Sequence, residues 1–437
     1  MTTFYKIFFG IEIIVFGVLG GSFTRFLKEN SQISVNNSQN EAAIIKTTVS
    51  VVNPADLKNE QKPNASTSTK PKINFCDEKL FSGLEEKDKN LCSREPKLTD
   101  KKGIEVDLTN SKALLYENGK FTQILPLLYQ APEEKWYQSP TGYYRIGVKK
   151  ENHISSIFPV AMPFAIQYYE DFFLHGVPYY PEDKTRVSSN FTGGCLRFKD
   201  NIAKEIYDFI KTGDQITVYK TFDDLTMKTG FHSPVDLENY WIRQRFGNPY
   251  RAFWTNGGSE NLKNDHYFHS GIDFAPNRNS QNPNIYAIAK GEVVKIQVND
   301  GKDHGLGNTI ILKHALPNEI IYSLYSHLDT VKINLKEGGI VQSGETIGTV
   351  GNSGQGCRNY WRIGPEGCNQ KSPSDTHLHL EIKKAGVLEN PAGDKACKKP
   401  NGESRPCYGY MPDYPQKYGY LNPIEFLFAK KQKMNLN

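Results

Sequence analysis

Alternation of apolar and polar positions begins near residue 104 and predicts a chain built mainly of β-strands. Ile104 to Leu108 alternates with a period of two residues, which is typical of a half-buried strand. Glu117 to Lys120, with an Asn-Gly pair at its centre, has the composition of a tight hairpin turn. We expect two domains, both mainly β, because a second series of such segments spans Ala252 to Phe428. Its clearest strands are predicted at residues 285–288, 291–297, 309–313, 320–325 and 377–382.

One segment with the periodicity of a helix lies within the first series of predicted strands. Asp200 or Asn201 is expected to cap this helix, and Gly213 is expected to end it. A final strand from Ile216 to Tyr219 then closes the first domain. The apolar face of the helix comprises Ile202, Ile206, Phe209 and Ile210.

The first 75 residues follow neither period. Residues 1–26 contain an apolar run of roughly 16 residues, interrupted by Glu12, which we expect to direct export as a cleaved signal or as a membrane anchor. Residues 27–75 are rich in Asn, Ser, Thr and Lys and are predicted to form a disordered linker. The remaining boundaries are predicted as a short Cys-containing lead-in at 76–102, a first domain at 103–220, a junction at 221–250 and a second domain at 251–430.

Length and charge agree with two domains and limit the class of partner. The chain has 437 residues, more than the ~250–300 at which single cores stop growing. Its 53 Lys and Arg against 48 Asp and Glu give a net charge of only +5, and no run of basic residues marks a nucleic-acid surface. We therefore expect no nucleic acid among the partners.

The seven cysteines are an odd number, which in an exported chain leaves one thiol without an intramolecular partner. Proximity in the sequence isolates Cys195, although other pairings remain open because connectivity cannot be read from spacing. The neighbouring pairs are Cys76 and Cys92, Cys357 and Cys368, and Cys397 and Cys407.

The surroundings of Cys195 suit thiol catalysis, which needs a base for the thiol proton and amide donors for the oxyanion. His175 lies at the end of an apolar segment, and Cys195 follows two glycines. Gly193 and Gly194 permit a tight turn that presents the sulfur and directs the N–H groups of Gly194 and Cys195 towards a substrate oxygen. Arg197 is expected to hold a substrate carboxylate or the turn itself.

These residues resemble the motif of the L,D-transpeptidase family with a YkuD-type domain, in which a His precedes Ser/Thr-His-Gly-Cys at a similar spacing. Here 16 residues separate His175 from Thr192, and Gly193 stands where many members have His. The resemblance covers roughly residues 103–220 and implies a β-sandwich with a helix. It also implies that Cys195 is the nucleophile and His175 its base, and that Thr192, Gly194 and Arg197 contact the substrate or the oxyanion.

Histidines and one aspartate in the second domain have the spacing of a hydrolytic metal site, which needs about three protein ligands and one open position. His269 and Asp273 are four residues apart in a passage from loop to strand. His377 and His379 are two apart, which on a strand puts both rings on one face. His327 follows Tyr325-Ser326 at the predicted end of another strand.

This set resembles the lysostaphin-type (LytM-like) zinc peptidases, whose motifs are His-x-x-x-Asp, a middle His in Tyr-x-His-Leu, and His-x-His. The resemblance implies an antiparallel β-sheet domain with one Zn²⁺ bound by His269, Asp273 and His379. His327 and His377 would then orient the water and stabilise the oxyanion.

Together the two resemblances imply a bifunctional peptidoglycan remodelling enzyme, with a Cys-dependent L,D-transpeptidase that forms 3-3 cross-links and a zinc endopeptidase. Its partners would be peptidoglycan stem peptides and, through the N-terminal segment, the membrane of the cell envelope. We expect an exported protein of the bacterial envelope, either anchored or secreted. The alternatives are a wall-binding or amidase-activating protein with one inactive domain, and an L,D-carboxypeptidase in place of the transpeptidase.

Overall fold

The structure is a computed structural model. The predicted segment 1–26 and residues 27–72 of the predicted linker at 27–75 lie outside the described residues, as do the side chains of the two predicted cysteine pairs beyond residue 350. In the described part of the chain, no helix combines the length and the apolar character needed to cross a bilayer. The described residues are 73–132, 137–155, 158–251, 266–278, 280–298, 306–354, 376–388, 397–398, 404–405 and 408–431.

Two sheets form the first domain. The alternating segments at its start become antiparallel strands, and the turn between the second and third has Asn118 at φ 50° and Gly119 at φ 92°, as a two-residue hairpin requires. The strands are β1 (Lys102–Asp107), β2 (Lys112–Glu117), β3 (Lys120–Pro126), β4 (Gly142–Arg145), β5 (Lys149–Ile154), β6 (Ala161–Tyr169), β7 (Phe172–His175), β8 (Leu196–Arg197) and β9 (Gln215–Tyr219).

The two sheets enclose one apolar core, so the first domain is the expected β-sandwich. One sheet has the order β3-β2-β1-β9-β4, and the other has the order β5-β6-β7-β8. Ile104 and Val106 of the first sheet and Ile166 and Leu174 of the second belong to the same buried cluster. The last strand, β9, therefore lies inside its sheet, parallel to β1.

Three helices accompany this domain: α1 (Glu78–Gly83), α2 (Glu86–Cys92) and α3 (Asp200–Phe209). A disulfide joins Cys76 to Cys92, which confirms that predicted pair. The predicted cap of α3 is wrong, because Lys199 is the N-cap residue and makes no side-chain cap. Asp200 is instead the first helical residue, and its carboxylate accepts hydrogen bonds from the Val177 N–H and the Arg186 guanidinium.

The second domain is built on a large, mainly antiparallel sheet with the strand order β11-β14-β21-β18-β17-β16-β19. Its strands are β10 (Leu225–Met227), β11 (Tyr240–Gln244), β12 (Pro249–Arg251), β13 (His266–His269), β14 (Ile272–Pro276), β15 (Asn284–Tyr286), β16 (Gly291–Gln297), β17 (Asn308–Ala315), β18 (Ile320–Val331), β19 (Ile340–Val341), β20 (Thr346–Val350), β21 (Leu378–Lys383), β22 (Cys397–Lys398), β23 (Ser404–Arg405), β24 (Tyr410–Met411), β25 (Tyr420–Leu421) and β26 (Phe428–Lys430). Helix α4 (Pro423–Leu427) and 3-10 helices at Leu237–Asn239 and Pro415–Tyr418 complete it.

The predicted junction at 221–250 is folded into this second domain. Strand β10 pairs with β26, and β11 pairs with β14 at one end of the large sheet. Lys220, at the end of the first domain, exchanges two backbone hydrogen bonds with Ile242 of β11. The junction thus joins the two domains through backbone pairing rather than through a flexible tether.

Candidate functional site

Cys195 lies between the turn that follows Thr192 and the start of β8. Its Sγ accepts a hydrogen bond from the Phe173 N–H at 3.4 Å and lies 3.8 Å from the carbonyl oxygen of Asp171. Gly194 adopts φ 106°, and a Cβ there would come within 2.2 Å of the Phe172 ring. This position therefore requires glycine, because both the backbone conformation and the space exclude a side chain.

Gly193 has no such steric requirement. A Cβ there would meet only the Phe158 ring, at an ordinary contact distance of 3.7 Å. Phe158 and Phe191 are both about half exposed, and their ring centroids lie 6.4 Å apart. An aromatic rim therefore stands beside the position where many L,D-transpeptidases have His.

His175 is the last residue of β7 and shares a face of that strand with Phe173, because side chains alternate with a period of two. The Nδ1–H group donates to the carbonyl oxygen of Gly176 at 2.6 Å, which leaves Nε2 without a proton in the neutral ring. Its side chain is buried, and no hydrogen bond joins it to the Cys195 sulfur. Burial lowers the pKa of His175 to about 4 and raises the pKa of Cys195 to about 11.

Thr192 and Arg197, which were also predicted for this site, form hydrogen bonds with backbone carbonyl groups of the loop that carries Cys195. Thr192 donates from Oγ1 to the carbonyl oxygen of Cys195 at 2.7 Å. Arg197 is buried and donates to the carbonyl oxygens of Ser189 and Phe191, at 2.6 and 2.8 Å, so in this structure it holds the turn. The N–H groups of Gly194 and Cys195 donate to no acceptor among the described residues.

His269, Asp273 and His379 converge on one point of the second domain. Asp273 of β14 lies directly opposite His379 of β21 in the sheet, and His269 ends the neighbouring strand β13. The His379 Nδ1 atom lies 2.9 Å from His269 Nε2 and 3.0 Å from Asp273 Oδ1, and the last two atoms are 3.2 Å apart. In tetrahedral zinc, with bonds of about 2.0–2.1 Å, ligand atoms are ~3.3 Å apart. The three residues therefore fit a single divalent cation.

Hydrogen bonds to the other ring nitrogens fix the orientation of both histidines. His269 Nδ1 lies 3.1 Å from the carbonyl oxygen of Arg245, and His379 Nε2 lies 3.2 Å from Glu381 Oε1. Glu381 also accepts hydrogen bonds from Ser270 and from the buried ammonium of Lys383. Burial by itself would raise the pKa of Glu381, but Lys383, His379 and Ser270 lower it to about 2, so it is a carboxylate. Such a second layer of partners is what metal-binding histidines need.

Neighbouring groups of the site shift the pKa of Asp273 downwards and the pKa of His379 upwards. Burial disfavours the carboxylate of Asp273, yet His269 and His377 hold the pKa of Asp273 well below its ordinary value. Burial also lowers the pKa of His379, but its hydrogen bonds to Asp273 and Glu381 outweigh this effect and raise the pKa to about 9. A negative carboxylate thus faces the ring nitrogens at the point where the three ligand atoms meet.

His327 and His377 stand beside the three candidate ligands. Their ring centroids are 4.6 Å apart, and His377 Nε2 lies 3.6 Å from Asp273 Oδ2. His327 has φ 61°, a left-handed conformation that L-residues rarely adopt. This conformation interrupts the alternation along β18, so the ring faces the site instead of the core.

The two rings carry their protons on different nitrogens when neutral. His327 Nδ1 lies 2.8 Å from the carbonyl oxygen of Ser353, so its hydrogen is on Nδ1 and its Nε2 is free to accept. His377 Nδ1 lies 3.2 Å from an Nη atom of Arg243, which can only donate, so the His377 hydrogen is on Nε2. The site thus offers both an acceptor and a donor.

Sequence reasoning did not identify Glu381 and Arg243 as site residues. Glu381 could have been found, because it continues the period of two set by His379 on β21 and by His377 immediately before that strand. Arg243 carried no such signal, since it lies in the segment that was predicted to be a junction. The carbonyl groups of Arg245 and Ser353 carried none either, because every residue has a carbonyl.

Two family models match the chain. The L,D-transpeptidase catalytic domain (YkuD) matches residues 101–218, and peptidase family M23 matches residues 267–391. A search of the curated proteins finds no match.

Solved structures similar to parts of the chain include both kinds of enzyme. An L,D-transpeptidase (Yku) from Stackebrandtia nassauensis is 21% identical, with a TM-score of 0.25, and the match covers 29% of this chain and 58% of that chain. The chain thus spans less than two thirds of that protein. The catalytic domain of lysostaphin from Staphylococcus simulans is 25% identical over 34% of this chain and 85% of that chain, with a TM-score of 0.22. The catalytic domain of the prophage-encoded M23 protein EnpA from Enterococcus faecalis is 22% identical over 37% and 86%, with a TM-score of 0.21.

The chain therefore combines a segment, residues 101–218, that matches the L,D-transpeptidase catalytic domain (YkuD) with a second, residues 267–391, that matches peptidase family M23, and both families act on peptidoglycan.

Proposed function

We propose that the protein is a bifunctional peptidoglycan remodelling enzyme that cuts peptide bonds in its second domain and joins stem peptides in its first. The proposal is carried by the ligand atoms of His269, Asp273 and His379, which lie 2.9–3.2 Å from one another in the same chain as the half-buried free thiol of Cys195. Because both families act on the cell wall, the protein would work on the outer side of the cytoplasmic membrane. The segment at residues 1–26 would direct its export.

In the second domain, His269, Asp273 and His379 would hold one zinc ion. When bound, zinc supplies a Lewis acid for the scissile carbonyl and lowers the pKa of water. The free Nε2 of His327 would accept the proton of the attacking water. The Nε2–H of His377, oriented by Arg243, would donate to the oxyanion that forms on the scissile carbonyl.

In the first domain, His175 would take the Cys195 proton on Nε2 while the sulfur attacks a carbonyl carbon of the donor stem peptide. The N–H groups of Gly194 and Cys195 would stabilise the resulting oxyanion. The amide bond breaks, its nitrogen leaves with the proton from His175, and a thioester to Cys195 remains. An acceptor amine then attacks the thioester and gives its proton to His175, which returns it to the departing sulfur. With an amine of a second stem peptide as acceptor, the product is a 3-3 cross-link.

Each half of this proposal has its own test. Metal analysis of the purified full-length protein should find about one equivalent of tightly bound zinc. Less than half an equivalent, in protein purified without chelators, would contradict the peptidase half. A carbapenem should add one mass equivalent to the wild type and none to Cys195→Ala. An unmodified wild type with a titratable thiol would contradict the transpeptidase half.

A further inference from the structure

A cavity of about 280 Å³ lies where the two domains meet, outside the cluster of metal ligands. The first domain and its lead-in contribute one wall, and strand β11 with the segment after β14 contributes the others. Its lining includes Lys97, Tyr143, Trp241, Pro276, Arg278 and Thr376.

The cavity lies beside the metal site along the strands that the two share. Trp241 lies opposite Ala275 in the sheet, and Ala275 lies two residues beyond Asp273, so it shares the face of Asp273. Thr376 immediately precedes His377. Pro276 lies three residues from Asp273, which corresponds to ~10 Å along an extended strand. A peptide that runs along these strands from the metal site would reach the cavity about three residues from the bond at the metal.

The walls of the cavity are aromatic and its charge is positive. The rings of Tyr143 and Trp241 meet edge to face at 5.6 Å. Buried Lys97 places its ammonium 5.8 Å from the Trp241 ring and donates to the carbonyl oxygen of Glu95 at 2.8 Å. Two cationic residues, Lys97 and Arg278, and one acidic residue, Glu95, line the cavity, so their formal charges sum to +1.

Arg278 carries the cationic group of the lining that a ligand can reach. Its side chain is exposed, and it forms no ion pair or hydrogen bond with any described residue. A guanidinium in this position matches a carboxylate, which accepts its N–H groups in a fork. The rings of Tyr143 and Trp241 offer an apolar surface for the carbon chain that carries such a carboxylate.

We propose that this cavity, beside the metal site, is a substrate subsite that binds a carboxylate-bearing residue of the peptide about three positions from the scissile bond. Arg278 pairs with the carboxylate, and Tyr143 and Trp241 pack against its carbon chain. The proposal rests on the peptidase function proposed above and names its substrate class: peptides with free, rather than amidated, side-chain carboxylates. Because Lys97 and Tyr143 come from the first domain and its lead-in, the transpeptidase half takes part in selecting what the peptidase half cuts.

The test compares two probes that differ only at the carboxylates. A peptidoglycan stem tetrapeptide with free carboxylates and its carboxamide form are titrated calorimetrically into the full-length protein with chelator present, so that no cleavage occurs. The wild type should bind the carboxylate form about tenfold more tightly, as one charge-assisted hydrogen-bonded pair allows. Arg278→Ala should bind both forms equally, whereas the exposed-cation control Lys336→Ala should keep the tenfold preference.

Equal affinity of the wild type for the two forms would overturn the subsite, and so would an unchanged preference in Arg278→Ala. The peptidase function is tested separately, by adding zinc to the same protein and the carboxylate peptide. Retained binding preference without cleavage would contradict the peptidase function alone. Tyr143→Leu gives a second variant, which should weaken binding of both forms by removing a ring of the wall.

Discussion

At the scale of single residues, the thiol site and the metal site differ in how they are charged at rest. Burial favours the neutral forms of both Cys195 and His175, whereas the carboxylates of Asp273 and Glu381 are stabilised by neighbouring cations and donors. Before substrate binds, Cys195 and His175 are therefore both neutral, and the thiolate forms only when His175 takes the Cys195 proton during attack. The metal site keeps its negative charge in place before substrate arrives.

The resting state of the thiol site predicts a pH dependence. With the pKa of Cys195 raised to about 11 and the pKa of His175 lowered to about 4, both groups are neutral between these values. Alkylation of Cys195 by iodoacetamide, followed by intact mass, should therefore accelerate steadily with pH up to about 10, because the thiolate fraction rises throughout. A plateau in the rate between pH 6 and 8 would indicate a preformed thiolate and imidazolium, and would contradict this description.

The two glycines before Cys195 should respond differently to alanine. At Gly194, φ 106° and the Phe172 ring at 2.2 Å oppose any Cβ, so Gly194→Ala should lower the free energy of unfolding by about 2 kcal/mol or more. At Gly193 the nearest atom would be 3.7 Å away, and Gly193→Ala should cost less than about 1 kcal/mol. Urea unfolding of both variants measures the difference. Equal losses would show that the turn is not constrained as described.

Residue types and spacing predicted the three side chains, of His269, Asp273 and His379, that converge in the structure and could hold a metal. The donors and acceptors that orient them were less accessible. Glu381 follows the period of two along its strand, whereas Arg243 reaches His377 from a segment with no recognisable motif. The left-handed backbone of His327 also has no signature, because sequence favours Gly or Asn at such positions.

At the scale of elements, strand β21 brings most of the metal site together. His377, His379, Glu381 and Lys383 alternate with Leu378, Leu380 and Ile382, so one face carries the chemistry and the other packs into the core. The pairing of β14 with β21 then sets Asp273 against His379. A shift of this register by one residue would turn His379 and Glu381 away from the site.

Glu381 on this strand should control metal affinity without touching the metal. Glu381→Gln keeps the shape of the side chain but removes the negative charge that polarises His379, so zinc should bind about 10–100-fold more weakly. Competition with a chromophoric chelator measures the affinity. The control Glu292→Gln, on a distant strand with a partly exposed carboxylate, should bind zinc as the wild type does. Unchanged affinity in Glu381→Gln would mean that the carboxylate has only a structural role.

Strands were predicted from the sequence in their places, but most of their limits differ from the observed ones; the strand predicted at 320–325, for example, extends to Val331. The predicted strand at 291–297 is β16 as observed, although a β-bulge between Val293 and Lys295 interrupts its alternation. The cap of α3 was not predictable, since the Asp200 carboxylate binds Val177 and Arg186, contacts that exist only in the folded domain. Strand β11 was missed because it is a short strand whose partner, β14, lies far along the sequence.

At the scale of the whole molecule, the two domains share a polar interface next to the metal site. The Asn248 side chain accepts from the Thr141 N–H at 2.8 Å and donates to the Thr141 carbonyl oxygen at 3.0 Å. Arg245 donates to the carbonyl oxygen of Ser139, and its own carbonyl faces His269. The Ser-Pro-Thr-Gly segment of the transpeptidase domain therefore supports the residues that orient a metal ligand.

This interface predicts that the two domains unfold together. Asn248→Ala removes the acceptor of the buried Thr141 N–H, which should cost about 1–3 kcal/mol, whereas the Thr141 carbonyl keeps its hydrogen bond from the Tyr144 hydroxyl. Differential scanning calorimetry of the full-length protein should show one transition, shifted as a whole to lower temperature by Asn248→Ala. Asn239→Ala, which removes a hydrogen bond within the second domain, provides the comparison. Two separate transitions, with only one moved by Asn248→Ala, would contradict a shared interface.

The central claim is that one chain both cuts and joins stem peptides, at two separable sites. The most direct measurement incubates purified muropeptides with the zinc-loaded wild type, Cys195→Ala and His379→Ala, and identifies the products by mass spectrometry. We expect Cys195→Ala to lose joined products but still cut, and His379→Ala to lose cut products but still join. Identical products from the wild type and both variants would contradict the central claim.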